Sequence, residues 1–552
     1  MPISIMLAMR TIPSPVRWGA WLLSSAILSP LYTNASELTI TTRTDLLHQH
    51  VSGPGRSASF YDPGGHLLHE TDLRHTGTVL DGQWNSVLGA TLRLTDSRQF
   101  DPEEFSIQKL EWKLSDRDTQ IHFGDYFANL SPYSLSKGIK GAAFQRNLGD
   151  DQNYIRAMYG SFDGQWVFLY QDPTGEPMNR HGGGIRLQRA WDKFRLGFNL
   201  VHVEDAGNDA HRAAGLDAFR QVMPAVDWEW REAGLVVSGE HAYADTQRMP
   251  AGATATEHDG TAHKITLRAA RKDLKLDGHV ERVSPDFYSL GGGATQDRLR
   301  WYLKGDYRVN KEWRAFLIYD DWRDNLADQR TTTTETVTWE AGVRKARLFD
   351  RRNLNLSVSW RNKAVETSDG SRDSVSDRIK VKLNDRIGQD FDWRGEIEYI
   401  LDDDRVAVSD ADSYLFDFGL GWRKRLKSNW DMRANLDLGR QENETVGVNG
   451  RDVSDRLRLS LSASREDGTL IGGFYEYTTA DLTAANADNR HNRAGLYWQT
   501  RPAWLRNGSL RFEVNDYLHT FTEDASRDYR EQIAKVSLQW NYERLGRKEA
   551  IQ

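Results

Sequence analysis

From residue 37 to residue 542 one pattern keeps returning: an apolar side chain followed by a charged or small polar one, over runs of about 9–12 residues. Tyr414, Phe416, Phe418, Leu420 and Trp422 are interleaved with Asp417, Gly419, Gly421 and Arg423. Trp430, Met432, Ala434, Leu436 and Leu438 are interleaved with Asp431, Arg433, Asn435 and Asp437. Leu457, Leu459 and Leu461 alternate with Arg456, Arg458 and Ser460, and Phe391, Trp393, Ile397 and Tyr399 with Asp392, Arg394, Glu396 and Glu398. Successive side chains of a β-strand point to opposite faces, so a period of two predicts strands with one apolar and one ionic face. Strands of soluble sandwiches usually stop at ~5–6 residues. A strand crossing a bilayer needs ~9–11 residues, tilted. In hydrocarbon every backbone N–H and C=O must be paired, so such strands survive only in a closed barrel. The apolar face then meets lipid and the ionic face a wet lumen.

Composition leaves few alternatives. Only 39% of the 552 residues are hydrophobic, 27% are charged and the mean hydropathy is −0.67, yet there are 19 Trp, 20 Tyr and 20 Phe. Disordered chains are poor in aromatics, which excludes that class. Beyond residue 35 no apolar run approaches the ~18 residues of a membrane-spanning helix. Fourteen prolines exclude a proline-rich or collagen-like chain. With no cysteine there is no disulfide, no thiolate metal site, no lipidation site of the lipoprotein kind and no covalently attached c-type haem.

Arg10 and Arg17 precede an apolar stretch from Trp18 to Tyr32, and Thr33-Asn34-Ala35 offers small residues for a cut. Residues 1–35 therefore read as a secretory signal cleaved after Ala35, with a short hydrophobic anchor as the alternative. They hold two Arg and no acid, so their removal takes the net charge from −7 to −9. A mildly acidic chain without a concentrated basic face is not expected to bind nucleic acid.

From residue 224 the expected connections alternate in length: Glu232-Ala233 short, 244–260 long, Lys272-Asp273 short, 284–297 long. The series runs on through 363–375 and 401–412 long, 425–428 short, to 501–506 short and 518–529 long. Bacterial membrane barrels have short turns on the periplasmic side and longer loops outside. The last strand, Lys535 to Tyr542, puts Val536, Leu538, Trp540 and Tyr542 on one face. It resembles the C-terminal assembly signal of Gram-negative outer-membrane barrels, although a polar tail, 543–552, follows it. As an architecture, residues 36–542 resemble an outer-membrane β-barrel of the large porin or export-channel type. The resemblance implies an all-β fold: a single transmembrane, antiparallel, up-and-down barrel of about 26 strands (range about 22–28). It also implies the lipid bilayer, lipopolysaccharide and the barrel assembly machinery as partners, and the Gram-negative outer membrane as location.

Counting alternating segments gives about 27 strands, whereas a chain with both ends on one side needs an even number. The irregularity lies between His122 and Gln145. Either one short strand there is spurious, or 127–137 folds into the lumen and its flanking strands run in the same direction. Asp125, Tyr126, Tyr133 and Lys137 are the candidates for that inward segment. His211 to Met223 has helical propensity within a long outer loop, where it would cap the mouth.

No G-x-S-x-G, H-E-x-x-H or P-loop pattern occurs, so no catalytic residue, metal site or cofactor is expected and the chain does not read as an enzyme. Gly182–Gly184 and Gly291–Gly293 read as loop or strand-end flexibility. Asp402-Asp403-Asp404 reads as a solvated loop, with a divalent cation as the alternative. Rings such as Trp301, Tyr307, Trp393 and Tyr399 read as a lipid-interface girdle. The functional expectation rests on lumen-facing Arg394, Glu396, Asp431, Arg433, Arg456 and Arg458. Beyond ~16 strands side chains cannot fill a barrel, so these charges line water or an inserted plug. Two functions follow: a wide channel for a hydrophilic solute or an exported polymer, or a scaffold. The scaffold would present loops as an adhesin or receptor, or sheathe a partner protein such as a multihaem cytochrome. A TonB-dependent transporter is disfavoured, because strand pattern begins without room for a plug domain.

Overall fold

A computed structural model describes residues 37–59, 62–162, 164, 166, 179–206, 214–406, 409–445, 451–482 and 488–544. The expected signal, 1–35, lies outside the described residues, as does the tail from 545. Twenty-six strands follow in chain order, from β1 (Glu37–Ser52) to β26 (Tyr529–Arg544). Sequence neighbours pair antiparallel, and β1 pairs with β26 from Leu38↔Arg544 to Ser52↔Arg530. That last ladder closes the ring, so no sheet edge is left at the chain ends. Among the described residues there is no α-helix.

The faces follow from exposure. Leu496 (73%), Ile397 (58%) and Leu461 (53%) are large apolar groups held in the open, and residues of the same parity along their strands share the outer face. Trp301 and Tyr307 are likewise exposed on the outside. With strands ~4.8 Å apart and tilted by ~40°, 26 of them enclose a ring roughly 50 Å across between backbones. Side chains of the described strands, reaching a few ångströms inward, do not fill it.

Three expectations need correction. Many strands are longer than 9–12 residues, up to 17 in β20 (Ser409–Arg425). Polar ladder pairs such as Asp403↔Asp410 and Asp404↔Ser409 carry the pairing of β19 (Phe391–Asp404) and β20 onward. Apolar alternation marks where lipid stops, whereas backbone pairing continues as long as neighbouring strands stay in register. The expected long loop 401–412 therefore shrinks to 405–408, about the length of the turn 388–390, and the short–long contrast fades there. Second, of the two readings of 127–137 the spurious strand holds and the same-direction flanks do not: β5 (Thr119–Ser131) and β6 (Leu135–Asn147) are antiparallel arms of one hairpin, so no two neighbours run the same way. Third, Ala218–Met223 is not helical but opens β10 (Ala218–Glu232), where Val222 pairs with His202 of β9 (Phe194–Ala206). Cross-strand pairing overrides a weak local propensity. Residues 211–213 lie outside the described residues.

Candidate functional site

The lumen wall has two unlike halves. One is ionic, on β18 (Asp373–Ile387) through β19 and β20 to β21 (Trp430–Thr445), β22 (Arg451–Arg465) and β23 (Leu470–Asp481). Exposed Ile379, Ile397, Phe416, Leu438 and Leu459 mark the outside of these strands, so the charged residues between them face inward. Glu396 pairs with Lys382 at 2.7 Å and with Lys380, which also reaches Glu398 at 2.8 Å. Arg394 does not pair with Glu396 but crosses to Asp437 at 2.8 Å. Arg456 holds Asp417 at 3.0 Å, and Arg458 lies 3.9 Å from Glu476. Asp431 and Arg433 share this face but have no ion-pair partner among the described residues; the register partners of Arg433 are another arginine, Arg423, and Ser462. Neighbouring charges of opposite sign cancel at a distance and order water locally, which gives a polar wall without one dominant sign.

The other half is built by the β5–β6 hairpin. β4 (Phe105–Ser115) pairs with β5 only from Glu111↔Gly124 to Ser115↔Gln120. β6 pairs with β7 (Tyr154–Ser161) only as far as Lys140↔Ser161. Beyond these points the hairpin arms ladder only with each other, to Ser131↔Leu135. The departure is set at Gly124, whose φ is +94° and where a Cβ would stand 2.0 Å from the Leu110 carbonyl oxygen. No other residue type fits that approach. Asp125, next in sequence, accepts hydrogen bonds from the Leu110 amide (2.7 Å), Lys140 Nζ (2.5 Å) and Trp166 Nε1 (2.7 Å). A carboxylate thus meets a β4 amide next to the point where β5 leaves the wall.

Past that bend Ala128, Leu130, Tyr133, Leu135 and Ile139 are buried in one cluster with Val201 and Val203 of β9, Met223 and Ala225 of β10, and Ala242 and Ala244 of β11 (Leu235–Met249). The wall members have the opposite parity to exposed Leu200, Val222 and Tyr243, so the cluster sits inside the barrel. Polar contacts pin the tip. Tyr133 donates its N–H to Glu240 Oε1 (3.0 Å) and its hydroxyl to Glu281 Oε1 (2.6 Å). Arg186 donates to the Leu130 carbonyl (2.7 Å) and forks onto Asp227 (2.5 and 2.8 Å). The connection 284–297 folds over the tip: the Ser136 amide donates to Gly291 O (2.9 Å), and the Gly293 amide to Pro132 O (3.0 Å).

Of the inward candidates, Asp125 holds the bend and Tyr133 the tip. Tyr126 donates to the Ala142 carbonyl (2.9 Å), and Lys137 sits 5.3 Å from the Phe162 ring. From Asp125 to Ser131 the arm reaches about 20 Å, less than half the ring, so it narrows the lumen without filling it.

The sequence reading missed the wall partners Arg186, Asp227, Glu240 and Glu281. A signal was present: Asn199-Leu200-Val201-His202-Val203 is apolar on both faces, the mark of a strand covered on both sides. The glycine runs also have a different role from flexibility. A Cβ on Gly184 would come 2.8 Å from Leu130 Cδ1, and one on Gly292 2.1 Å from the Tyr133 carbonyl oxygen. They are places of close approach. Histidines scattered in sequence meet across strands, His241 with His263 (2.9 Å) and His491 with His519 (2.6 Å), but no group of three metal-ligating side chains occurs among the described residues. Asp403 pairs with Arg405 at 3.2 Å. In the connection 368–372 the hydroxyl of Thr332 and the amide of Ser371 donate to Asp369, holding its carboxyl well below the usual carboxylate range.

No protein-family profile matches the chain, and no curated protein matches it. Among solved structures it is similar to the translocation pore of the P pilus usher PapC, with 11% identity over 91% of this chain and 99% of that one, and a TM-score of 0.35. The siderophore receptor PirA of Pseudomonas aeruginosa shares 9% identity over 92% of this chain and 80% of its own, with a TM-score of 0.42. The Pseudomonas aeruginosa protein OccK2 shares 12% identity over 60% of this chain and 93% of its own, with a TM-score of 0.32.

Proposed function

We infer that this chain forms a wide aqueous channel across the Gram-negative outer membrane, passing a hydrophilic solute or an exported polymer. One observation carries the reading: a closed ring of 26 strands, apolar outside and ionic inside, too wide for its side chains to fill. The hairpin restricts one side of the lumen and leaves the ionic side open. Reconstituted in a planar bilayer, the mature chain should show large openings with weak ion selectivity, because charges of both signs share the wall. A barrel that inserts but does not conduct would instead support the scaffold reading, with the lumen given over to a partner.

Orientation has its own test. A protease added to intact cells should cut the connections 325–333 and 368–372 and spare 426–429. It should also spare 284–297 despite that segment's length, since Phe287 is fully buried and Asp297 only 3% exposed. Cleavage confined to 426–429 would invert the barrel.

A further inference from the structure

On the lumen face of β23, β24 (Asn489–Thr500) and β25 (Gly508–Phe521) rings and guanidinium groups alternate. Phe474 stands opposite Gly495 in the ladder, and Tyr497 opposite Gly472. A Cβ on Gly495 would come 2.4 Å from the Phe474 ring, and one on Gly472 equally close to the Tyr497 hydroxyl. Each ring therefore lies across the glycine of the neighbouring strand, against the wall. Such coverage stabilises a glycine in a sheet, and it also paves two adjoining strands with aromatic surface. The Arg493 guanidinium sits 4.9 Å from the ring centres of both Phe474 and Tyr517, and that of Arg511 4.5 Å from Tyr497. From Arg511 to His519, eight residues along β25, the strip climbs about 20 Å of the lumen.

One of its charges differs from the ion-paired arginines of the lumen wall. Arg394, Arg456 and Arg511 each have a carboxylate at 3.0 Å or less. Arg493 is exposed and ion-pairs with no carboxylate among the described residues; Glu476, its register partner, lies 3.9 Å from Arg458 instead. Set beside two rings and hydrogen-bonded to Tyr517, its fork keeps donors that no carboxylate among the described residues takes up. A polyphosphate would need only the arginines, and a neutral sugar only the rings. Rings interleaved with guanidinium groups suit a polymer that carries apolar C–H faces and carboxylates on successive units.

We propose that this strip is a binding track for an acidic oligosaccharide, with sugar faces stacked on Phe474 and Tyr497 and a uronate carboxylate on Arg493. The assignment rests on the channel reading and names its substrate class. The test uses the mature chain in planar bilayers, with oligogalacturonate, maltohexaose and oligoglutamate of similar length as blockers. Oligogalacturonate should interrupt the current at concentrations about tenfold lower than either of the others. Arg493→Ala and Phe474→Ala should each weaken that block about tenfold, while Trp498→Ala, which removes an outward ring stacked on Phe512, should leave it unchanged. Equal block by oligoglutamate, or a block indifferent to Phe474→Ala, would overturn the track while leaving the channel standing. Should the barrel not conduct, fluorescent oligogalacturonate titrated onto the detergent-solubilised chain reads the same site: binding lost in Arg493→Ala upholds it, and no binding to the unaltered chain refutes it.

Discussion

Arginine in place of Leu459 is expected to destabilise the barrel by about 2–4 kcal/mol, whereas arginine one residue later, at Ser460, is expected to cost about 1 kcal/mol or less. Leu459 lies in the middle of β22, 44% exposed on the outer face, opposite Leu436 and Tyr475 of its neighbours. A guanidinium there has no water and no acid to meet. Ser460 points into the lumen, where its hydroxyl accepts a 3.1 Å hydrogen bond from Asn435 and a longer cation would be solvated. Urea unfolding in lipid vesicles, followed by tryptophan fluorescence, reads both variants. Equal losses, or a larger one at Ser460, would mean that the two faces are assigned the wrong way round and that the apolar face is a soluble core.

Arg186→Ala should release the hairpin from the wall. The guanidinium is 5% exposed, and its loss leaves the carboxylate of Asp227, the amide oxygen of Asn199 and the carbonyl of Leu130 without this donor. Breaking a buried pair on one side typically costs about 3–5 kcal/mol, because the remaining charge stays buried. Of these contacts only the one to the Leu130 carbonyl joins the arm to the wall; Asn199 and Asp227 lie on wall strands that their backbone ladders also hold, so the barrel should persist while the arm loosens. Hydrogen exchange at Ala128–Ile139 should accelerate by about a hundredfold or more, with the amides of β18–β22 unaffected. Replacing the pair together, Arg186→Met with Asp227→Leu, should restore most of the protection. Unchanged exchange in the single variant would remove Arg186 from the latch.

Much of the architecture is legible in the residues. In 414–422 or 457–461 the alternation alone states strand, facing and environment, since no other regular structure places every second side chain on one side. Strand ends are not legible there. Asp402 and Asp403 look like loop residues, because ladder pairing in water leaves no trace in hydropathy. The candidate site divides the same way. Arg394, Glu396, Arg456 and Arg458 are found by parity, but their partners are not: Arg394 reaches Asp437 and Arg456 reaches Asp417, across strands that any count of spacing treats as separate.

The inward hairpin marks the limit. Between Phe127 and Lys137 the sequence shows only an irregular patch of turn residues. What folds it inward is the positive φ of Gly124, the carboxylate of Asp125 on the Leu110 amide, and a seat made of Val201, Met223, Ala242, Glu240 and Glu281, dozens to more than a hundred residues away. The chain alone determined that its strands alternate in polarity and must close on one another, because period-two patterning and backbone pairing in lipid are local demands. Tertiary structure alone decided which hairpin leaves the wall and where it rests, because that depends on shape and charge complementarity among residues that meet only once the ring has closed.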